Sequence, residues 1–561
     1  MNHPKSIYTV NAFAGSGKTY RALRWSLTEA MIHQRKTVMV FKSTKLIDQA
    51  HADAVAFAAE NNWTLPINAI HSDLLHVRRS KISVGTMILQ HLEDAQADQG
   101  ELLMITEVAF LQLLHWPKRY QWTCICDEIP QVDPTIKKNL PENHHLLTQH
   151  MSFVPDGDKY CRVEIAAGSK PALTAIAENP SRDEVNTVLA PYAQRLIHPN
   201  YDSWVLNDQR QRLLNQQGDP KSRQLELFSL LLPSVFGTGA QREANGAKIV
   251  DAFDDVIIMG AGFDISLMSH IWYGLGVEFP PHAELTKGLR YSEHTCGHRL
   301  TIKYVFETDW SKNFAGATSE FNGVDTPNLD VLQQACIQVF GDDEFAFLAN
   351  KDSAEDAKRC FGPQAEQLDN APWGLNEYQH LHNVAILSAL NPTPAHLGFL
   401  DHLCKEPERV RDALFHANVY QAVMRSSLRN LDATEPVCAV VPDRTVARAL
   451  AGYFPGCRVD KMQLDLIETP AKRVGAPTKA EKKPNNQSSS ESKKRKRWMD
   501  KQIKQVKLGK PVDQVKLREV ERVCRPTNTT LIKLKQVLAA QTNVPPASAA
   551  PINSSSKRTS P

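Results

Sequence analysis

The first residues that could do chemistry form a Gly-rich stretch near the start of the chain, Asn11-Ala12-Phe13-Ala14-Gly15-Ser16-Gly17-Lys18-Thr19. An apolar run at residues 7–10 precedes it, and a helical pattern follows from Tyr20. A strand, a tight loop and a helix N-terminus in this order point backbone N–H groups at phosphate oxygens. We therefore predict a nucleotide-binding site formed by Ala14, Gly15, Ser16, Gly17, Lys18 and Thr19. Lys18 would reach the β- and γ-phosphates, and the Thr19 hydroxyl would hold Mg²⁺.

An acidic pair supplies the partner that such a loop needs for hydrolysis. The apolar strand predicted at Trp122–Cys126 ends in Asp127-Glu128. A carboxylate beside a phosphate loop can hold Mg²⁺ through water, which is the role expected of Asp127. Glu128 can orient and deprotonate the attacking water. The pair indicates hydrolysis of a nucleoside triphosphate, with ATP and Mg²⁺ as the expected cofactors.

Further segments follow these two in an order that resembles the superfamily 2 helicases, the DExD/H-box group. The resemblance covers roughly residues 5–455. It is carried by the phosphate loop, VFKSTKLIDQA (40–50), MITEVAFLQLL (104–114), DEIP (127–130), IIMGAGFDISLM (257–268), GLNEYQHLHNVAILSALNP (374–392) and YQAVMRSSLRN (420–430). It implies an ATP-dependent motor on nucleic acid. A compact motor with a basic tail would fit a phage, plasmid or other mobile element.

The resemblance also implies roles for individual residues. In the family, the segments that correspond to 40–50 and 104–114 contact the nucleic-acid backbone. The resemblance therefore assigns this role to Lys42, Thr44 and Thr106 here. The last segment would place Gln421, Arg425 and Arg429 on one helix face at i, i+4 and i+8. Arginines there reach across the cleft to the γ-phosphate, and we favour Arg429 as the arginine finger.

Several departures from the family pattern keep other functions open. The family spaces its two arginines three apart, whereas here they are four apart. Gly260-Ala261-Gly262 replaces Ser-Ala-Thr, whose hydroxyls help couple hydrolysis to strand separation, and the acidic pair continues as Ile129-Pro130. The chain could therefore be a translocase, or a replication accessory factor that uses ATP as a conformational switch. A metabolic kinase is disfavoured, because it would need no second α/β half.

The pattern predicts an α/β fold of tandem RecA-like P-loop NTPase domains with a helical insertion and a basic, partly disordered C-terminal tail. The first domain spans 1–275, with the helical insertion at about 134–247, and the second spans 285–465. Residues 466–496 are predicted as a flexible basic linker, 497–540 as a small basic helical segment that binds nucleic acid, and 541–561 as a disordered tail. Strands are expected at residues 7–10, 37–41, 102–105, 122–126, 256–259, 384–387 and 437–441.

The charge distribution favours a polyanionic partner. The net charge is +3, yet residues 471–535 hold 20 Lys or Arg against six Asp or Glu, and residues 1–470 have a net charge of −13. Five consecutive basic residues before Trp498 would neutralise phosphates and make binding steeply salt-dependent; they are Lys493, Lys494, Arg495, Lys496 and Arg497. We expect nucleic acid as the partner, with DNA favoured over RNA, and replication or recombination proteins beside it.

The remaining composition points to an intracellular protein without a membrane partner. No apolar run is long enough to span a bilayer, and the ten cysteines form no CxxC pair, which suits a reducing compartment. That compartment would be the cytoplasm or, in a eukaryote, the nucleus. His294, Cys296 and His298 are the nearest approach to a zinc cluster, but no second cluster at finger spacing accompanies them.

Overall fold

The computed structural model describes residues 6–74, 82–215, 223–242, 248–368, 378–389, 392–404 and 412–469, together with Val410 and short pieces between 498 and 538. The chain forms two compact units, Met1–Pro470 and Ala471–Pro561. The first unit contains two six-stranded parallel sheets with helices packed on them. Its α/β class and tandem parallel sheets confirm the predicted fold. Among the described residues, no helix combines the length and apolarity needed to cross a bilayer.

The first sheet begins with five strands that alternate with helices. These elements are β1 Tyr8–Asn11, α1 Lys18–His33, β2 Lys36–Phe41, α2 Thr44–Glu60, β3 Ile67–Ile70, α3 Val84–Asp94, β4 Glu101–Thr106, α4 Glu107–Gln112 and β5 Trp122–Cys126, with a 3₁₀ turn at Arg119–Gln121. Strands β2 and β5 are buried along their whole length, as expected for parallel strands covered on both faces. The short polar side chains of Ser43 and Thr106 cap α2 and α4, because each accepts a backbone N–H of the first turn.

The chain then leaves the sheet and forms the insertion. Its elements are β6 Thr135–Asn139, α5 His145–Thr148, β7 Met151–Asp156, β8 Tyr160–Ile165, α6 Lys170–Glu178, α7 Glu184–Ile197, β9 Tyr201–Leu206, α8 Asn207–Leu214, β10 Gln224–Leu231, a 3₁₀ turn Pro233–Phe236, β11 Gly237–Arg242 and β12 Lys248–Ala252. Five of these strands form an antiparallel sheet in the order β6-β10-β9-β8-β7, and β11 and β12 form a separate hairpin.

The prediction that this insertion is helical was therefore wrong in part. Helices are present, but the antiparallel sheet holds them, with Tyr192 and Leu173 packed in one core with Leu225. The strands β8 and β9 are each six residues long, and β8 carries the exposed Arg162 and Glu164 between buried apolar residues. Their strand identity comes from tertiary pairing, since β9 pairs with both β8 and β10, and the β8–β9 partners Cys161 and Val205 are 44 positions apart.

After the insertion the chain returns to the first sheet. The elements are β13 Val256–Gly260, a 3₁₀ turn Phe263–Ile265, α9 Leu267–Gly274, α10 Ala283–Thr286 and a 3₁₀ turn Cys296–Arg299. The first sheet has the order β1-β13-β5-β2-β4-β3, and all its neighbours are parallel. The carboxyl ends of all six strands therefore meet at one edge, where the phosphate loop and the acidic pair both follow.

The second half, residues 300–469, contains the second sheet. Its elements are β14 Leu300–Phe306, α11 Lys312–Ala315, β15 Thr318–Phe321, β16 Val324–Pro327, α12 Asn328–Phe340, β17 Phe345–Leu348, α13 Ala354–Phe361, β18 Ala365–Gln367, β19 Asn383–Ile386, α14 Pro394–Cys404, a π-helical turn Asp412–His416, α15 Ala417–Val423, a 3₁₀ turn Ser427–Arg429, β20 Val437–Asp443, α16 Arg444–Ala451, β21 Arg458–Lys461 and β22 Leu466–Ile467. The parallel order is β18-β17-β19-β20-β14-β21. The seven predicted strands are present within two residues of their predicted ends.

The start of the predicted linker is also corrected. Strand β22 pairs antiparallel with β15, which itself pairs with β16. The carboxylate of Glu468 accepts the backbone N–H groups of Glu307 and Thr308 at 2.8 and 3.0 Å. The chain thus stays attached to the second half through residue 469, whereas the rest of the predicted linker and the 541–561 tail lie outside the described residues. The described pieces between 498 and 538 are helical, and five apolar side chains there form a small cluster.

Helix α14 of the second half packs on the antiparallel sheet of the insertion. The ring of Phe399 stacks on Phe228 with centroids 5.0 Å apart and lies 5.5 Å from Trp204. At the rim, His396 Nε2 is 3.0 Å from Asp133 Oδ2, and His402 Nε2 is 3.3 Å from Asp156 Oδ2. The insertion therefore contacts helix α14 of the second half through an apolar interface.

The buried His198 of the insertion predicts an acid-sensitive fold. Its Nδ1 accepts the backbone N–H of Asn200 at 3.3 Å, and burial, aided by the charge of Arg195, lowers its pKa to about 4. The unfolded chain binds this proton near its ordinary pKa of 6.5, so stability present above that pH is lost as the pH falls towards 4. We expect His198 to contribute up to about 3 kcal/mol to this loss.

Urea unfolding at about pH 7 and about pH 5 measures the effect. The difference in the free energy of unfolding between the two pH values should be smaller for the variant His198→Gln than for the unaltered chain. An equal pH dependence in the two proteins would contradict the assignment.

Candidate active site

The phosphate loop has the backbone of an anion-binding cradle. Gly15 and Gly17 have φ values of 84° and 88°, and α1 begins directly after them at Lys18. A Cβ on Gly15 would lie only 2.7 Å from Tyr291 Oη, so both the backbone conformation and the space require glycine. The ammonium of Lys18 donates to the carbonyl oxygens of Ala12 and Phe13 at 3.1 and 3.4 Å. These bonds keep the ammonium group of Lys18 next to the backbone of the phosphate loop.

The acidic pair lies directly beside this loop, as the sequence predicted. The Thr19 hydroxyl donates to Asp127 Oδ1 at 2.7 Å, although the two residues are 108 positions apart. They meet because β1 and β5 are parallel with only β13 between them. Burial and the charge of Glu128 raise the pKa of Asp127 to about 6, against the opposing effects of Thr19, Lys18 and Arg429. A buried carboxyl with a raised pKa is a group that a bound cation would stabilise in its ionised form.

A cavity of about 600 Å³ joins these residues to the second half. From the first half it is lined by the phosphate loop, Asp127, Glu128 and residues of α1 and α2. From the second half it is lined by Gln379, Gln421, Arg425, Arg429, Asn430, Leu431 and Asp432, and from the connection between the halves by Arg290. Of the nucleotide-binding residues predicted from sequence, all except Ser16 line the cavity, and Ser16 is almost fully buried. The structure therefore brings the predicted loop, acids and arginines to one cavity.

The arginines reach the cavity by a route that differs from the prediction. Helix α15 ends at Val423, so Gln421, Arg425 and Arg429 do not share one continuous helix. The Ser426 hydroxyl bonds the carbonyl of Val423 and accepts the N–H of Leu428, and these local bonds replace the helical ones. A 3₁₀ turn at Ser427–Arg429 then directs Arg429 back to the cavity.

The guanidinium groups of Arg425 and Arg429 are both largely removed from water. The Arg425 side chain is only 2% exposed, and its burial together with the charge of Arg429 lowers its pKa to about 9. Burial also lowers the pKa of Arg429, while Tyr291 and Glu128 act in the opposite direction. Arg425 is buried and Arg429 is partly buried, and two cations that face one cavity favour an anion between them, because an anion would offset the lost hydration.

Two departures from the family pattern turn out to touch each other. Gly260, in the place of the family's first serine, would have its Cβ 2.4 Å from Ile129 Cγ1. The larger Ile129 after the acidic pair therefore requires the glycine on the neighbouring strand. Nearby, the Asn11 side chain bonds both Asp264 Oδ2 at 2.6 Å and the N–H of Phe263 at 3.0 Å. The entrance of the phosphate loop is thus tied to the turn after β13 by the side-chain amide of Asn11.

The predicted nucleic-acid contacts lie at the same sheet edge but outside the cavity. Lys42 Nζ pairs with Glu107 at 2.6 Å, and the Thr44 hydroxyl donates to Asp73 Oδ2 at 2.6 Å. Thr106 accepts the N–H of Ala109 as a helix cap. All three are therefore bonded within the chain. Lys493, Lys494, Arg495, Lys496 and Arg497 lie outside the described residues.

Sequence reasoning missed a set of residues that hold the phosphate loop from outside. The backbone N–H of Arg290 donates to the carbonyl of Ser16 at 2.9 Å, and the hydroxyl of Tyr291 donates to the carbonyl of Ala14. Tyr420 and His294 complete the set. The available signal was the polar, aromatic stretch RYSEH (290–294) between the two halves, of which only His294 belonged to the zinc pattern considered above. His294 instead contacts the hydroxyl of Tyr420 at 2.8 Å.

Comparison with solved structures found matches of low overall similarity. S. cerevisiae Dbp5 bound to RNA and ADP BeF3 matches with a TM-score of 0.35 and 9% identity, over 82% of this chain and 86% of that chain. A variant S. cerevisiae Dbp5 bound to gle1 and ip6 matches with a TM-score of 0.29 and 10% identity, over 82% and 84%. The DEAD-box helicase Mss116 bound to ssRNA and UDP-BeF matches with a TM-score of 0.29 and 9% identity, over 96% and 84%. No family model and no curated protein matches the chain.

Proposed function

We propose that this protein is an ATP hydrolase of the superfamily 2 helicase type that couples hydrolysis to movement on, or unwinding of, nucleic acid. One observation carries the proposal. The Thr19–Asp127 bond of 2.7 Å lies in a cavity that Arg425 and Arg429 line from the other half of the chain. A phosphate loop and acidic pair on one domain, facing arginines on another, make hydrolysis depend on the relative placement of the two domains.

The oxygen ligands of this site suit Mg²⁺. Thr19 and Asp127 offer a hydroxyl and a carboxylate side by side, and Mg²⁺ prefers such hard oxygen donors together with water and substrate phosphates. We propose that these two residues hold the ion. When bound, Mg²⁺ would neutralise charge on the phosphates of ATP.

The chain's own residues would do the remaining work. The amides of the Gly-rich loop and Lys18 bind the phosphates, and half-buried Glu128 at the cavity wall orients water and accepts its proton. Gln421 and the two arginines line the facing wall, where they can sense or stabilise charge on the γ-phosphate. We keep Arg429 as the proposed arginine finger, because its side chain already lies against Gly15 of the loop.

Nucleic acid would bind at the carboxyl edge of the first sheet and along the basic C-terminal region. Lys42 directly follows β2, and Thr106 is the last residue of the neighbouring strand β4, where it is paired with Phe41. A phosphate bound by Lys42 would have to replace Glu107 as its partner. The sequence favoured DNA because the strict DEAD signature is missing. Lys42, Thr44 and Thr106 would contact a phosphate backbone, which DNA and RNA share. Both polymers are therefore tested.

ATP hydrolysis by the full chain, with and without single-stranded DNA, duplex DNA and single-stranded RNA, tests this function. Lys18→Ala serves as the inactive reference, and Lys312→Ala, an exposed lysine paired with Asp352, serves as the matched control. We expect stimulation by at least one polymer that Lys18→Ala loses and Lys312→Ala retains. Hydrolysis that responds to no polymer would overturn the motor proposal.

A second candidate is a nucleic-acid-binding replication factor that uses ATP as a conformational switch without unwinding. The specific observation in its favour is the buried interface between α14 and the insertion, where Phe399 is fully enclosed by Phe228, Trp204 and Tyr160. Such an interface restricts how far the two halves can separate. A strand-displacement assay on partly duplex substrates separates the candidates, because displacement by this chain alone would exclude the switch.

A further inference from the structure

Two residues of the phosphate loop are packed into the second half of the chain. Ala14 is 6% exposed and belongs to the hydrophobic core that surrounds the second parallel sheet. The neighbouring Phe13 packs on His294, with ring centroids 4.6 Å apart, and its ring lies 6.4 Å from that of Tyr420. The loop is therefore held by apolar contacts with the domain that carries the arginines, and not only by its own strand and helix.

Ala14 also has both of its backbone polar groups bonded by tyrosines from outside its own domain. Its N–H donates to Tyr420 Oη at 2.9 Å, and its carbonyl accepts the hydroxyl of Tyr291. The backbone N–H of Arg290 then binds the carbonyl of Ser16, two residues further along the loop. Since Gly15 lies between these anchors, they determine the direction of the amides that face the cavity.

The hydroxyl of Tyr420 is itself fixed by its surroundings. His294 Nε2 lies 2.8 Å from it, and burial lowers the pKa of His294 to about 4, so the imidazole is neutral near pH 7. A neutral ring nitrogen can accept the phenolic proton, which leaves the lone pairs of the oxygen for the Ala14 N–H. The ring of Tyr420 stacks on Tyr453 at 4.3 Å, and Tyr420 is only 1% exposed.

Tyr420 lies directly before Gln421 and five residues before Arg425, so its hydroxyl and these cavity residues belong to one packed segment. We infer that Tyr420 is a positioning residue that couples the conformation of the phosphate loop to the placement of the arginines. The Ala14–Tyr420 hydrogen bond can form only while the second half of the chain packs against the phosphate loop. Closure of the cleft would therefore align the loop amides and the arginines together, in a single step.

The catalytic part of this inference rests on the proposed function and is tested with Tyr420→Phe in the full chain. This change removes one hydroxyl and leaves the Ala14 N–H buried without its acceptor. We expect kcat at saturating ATP and polymer to fall about tenfold, because an unsatisfied buried donor disfavours the closed state. The KM for ATP should stay within about twofold, since the loop itself still binds the phosphates. Unchanged kcat, or a raised KM with kcat unchanged, would overturn the positioning role.

The structural part is tested without any activity. Hydrogen exchange of the peptide containing residues 11–17 should be about tenfold faster in Tyr420→Phe than in the unaltered chain. The matched control is Tyr192→Phe in the insertion, where a fully buried tyrosine hydroxyl likewise accepts a backbone N–H, that of Lys138, at 2.9 Å. It removes a comparable bond far from the loop and should leave the exchange of this peptide unchanged.

The two readouts separate failure of the inference from failure of the proposed function. Equal loop exchange in Tyr420→Phe and Tyr192→Phe would overturn the inference even if the unaltered chain hydrolyses ATP. If the unaltered chain does not hydrolyse ATP, the proposed function fails, and faster exchange in Tyr420→Phe would still establish that the second half holds the loop.

Discussion

The substitution Glu128→Gln is expected to lower kcat for ATP hydrolysis by about 1000-fold while leaving nucleotide binding intact. The amide keeps the size of the side chain but cannot accept a proton from water. Asp127 and Thr19 remain in place, so the two residues proposed to hold Mg²⁺ are unchanged. Glu128 is also one of the two causes that raise the pKa of Asp127, after burial. Its neutralisation should lower that pKa and favour the ionised form of Asp127.

Single-turnover hydrolysis and titration with a fluorescent ATP analogue measure the two effects separately. Glu344→Gln, at an exposed turn of the second half, is the matched control and should behave as the unaltered chain. Hydrolysis within about tenfold of the unaltered rate in Glu128→Gln would contradict its role as the general base.

The second large effect is expected from Arg429→Ala, which should lower kcat by about 1000-fold without lowering the melting temperature. Arg429 is partly exposed to the cavity, and its side chain lies against Gly15 of the phosphate loop. Its charge would act mainly when negative charge develops on the γ-phosphate, so binding of ADP with aluminium fluoride should weaken more than binding of ATP. Arg444→Ala, which removes a surface arginine paired with Glu307, is the control.

Arg425→Ala provides the comparison that identifies the finger. Because Arg425 is almost completely enclosed, its removal should lower the melting temperature as well as the activity. If Arg425→Ala stays folded and inactive while Arg429→Ala remains active, the finger is Arg425.

Local sequence was sufficient for the elements that position the chemistry. The buried strands β2 and β5 are mostly apolar, and the Gly-rich loop and acidic pair follow strands directly. Parallel strands place their carboxyl ends at one edge, so the meeting of Thr19 and Asp127 follows from strand type and order of motifs. The same reasoning could not identify the short strands of the insertion, because their stability comes from pairing with distant partners and not from their own pattern.

The sequence by itself thus determined the kind of site: a phosphate loop, an acidic pair and a second α/β half that supplies arginines. Only the tertiary structure decided how the halves are joined at that site. The contact of Gly260 with Ile129 and the hydrogen bond from Ala14 to Tyr420 each depend on atoms brought together by folding. The residues of the last pair lie 406 positions apart. Periodicity and spacing report only on neighbours along the chain, whereas the contact between Ala14 and Tyr420 depends on how two packed domains meet.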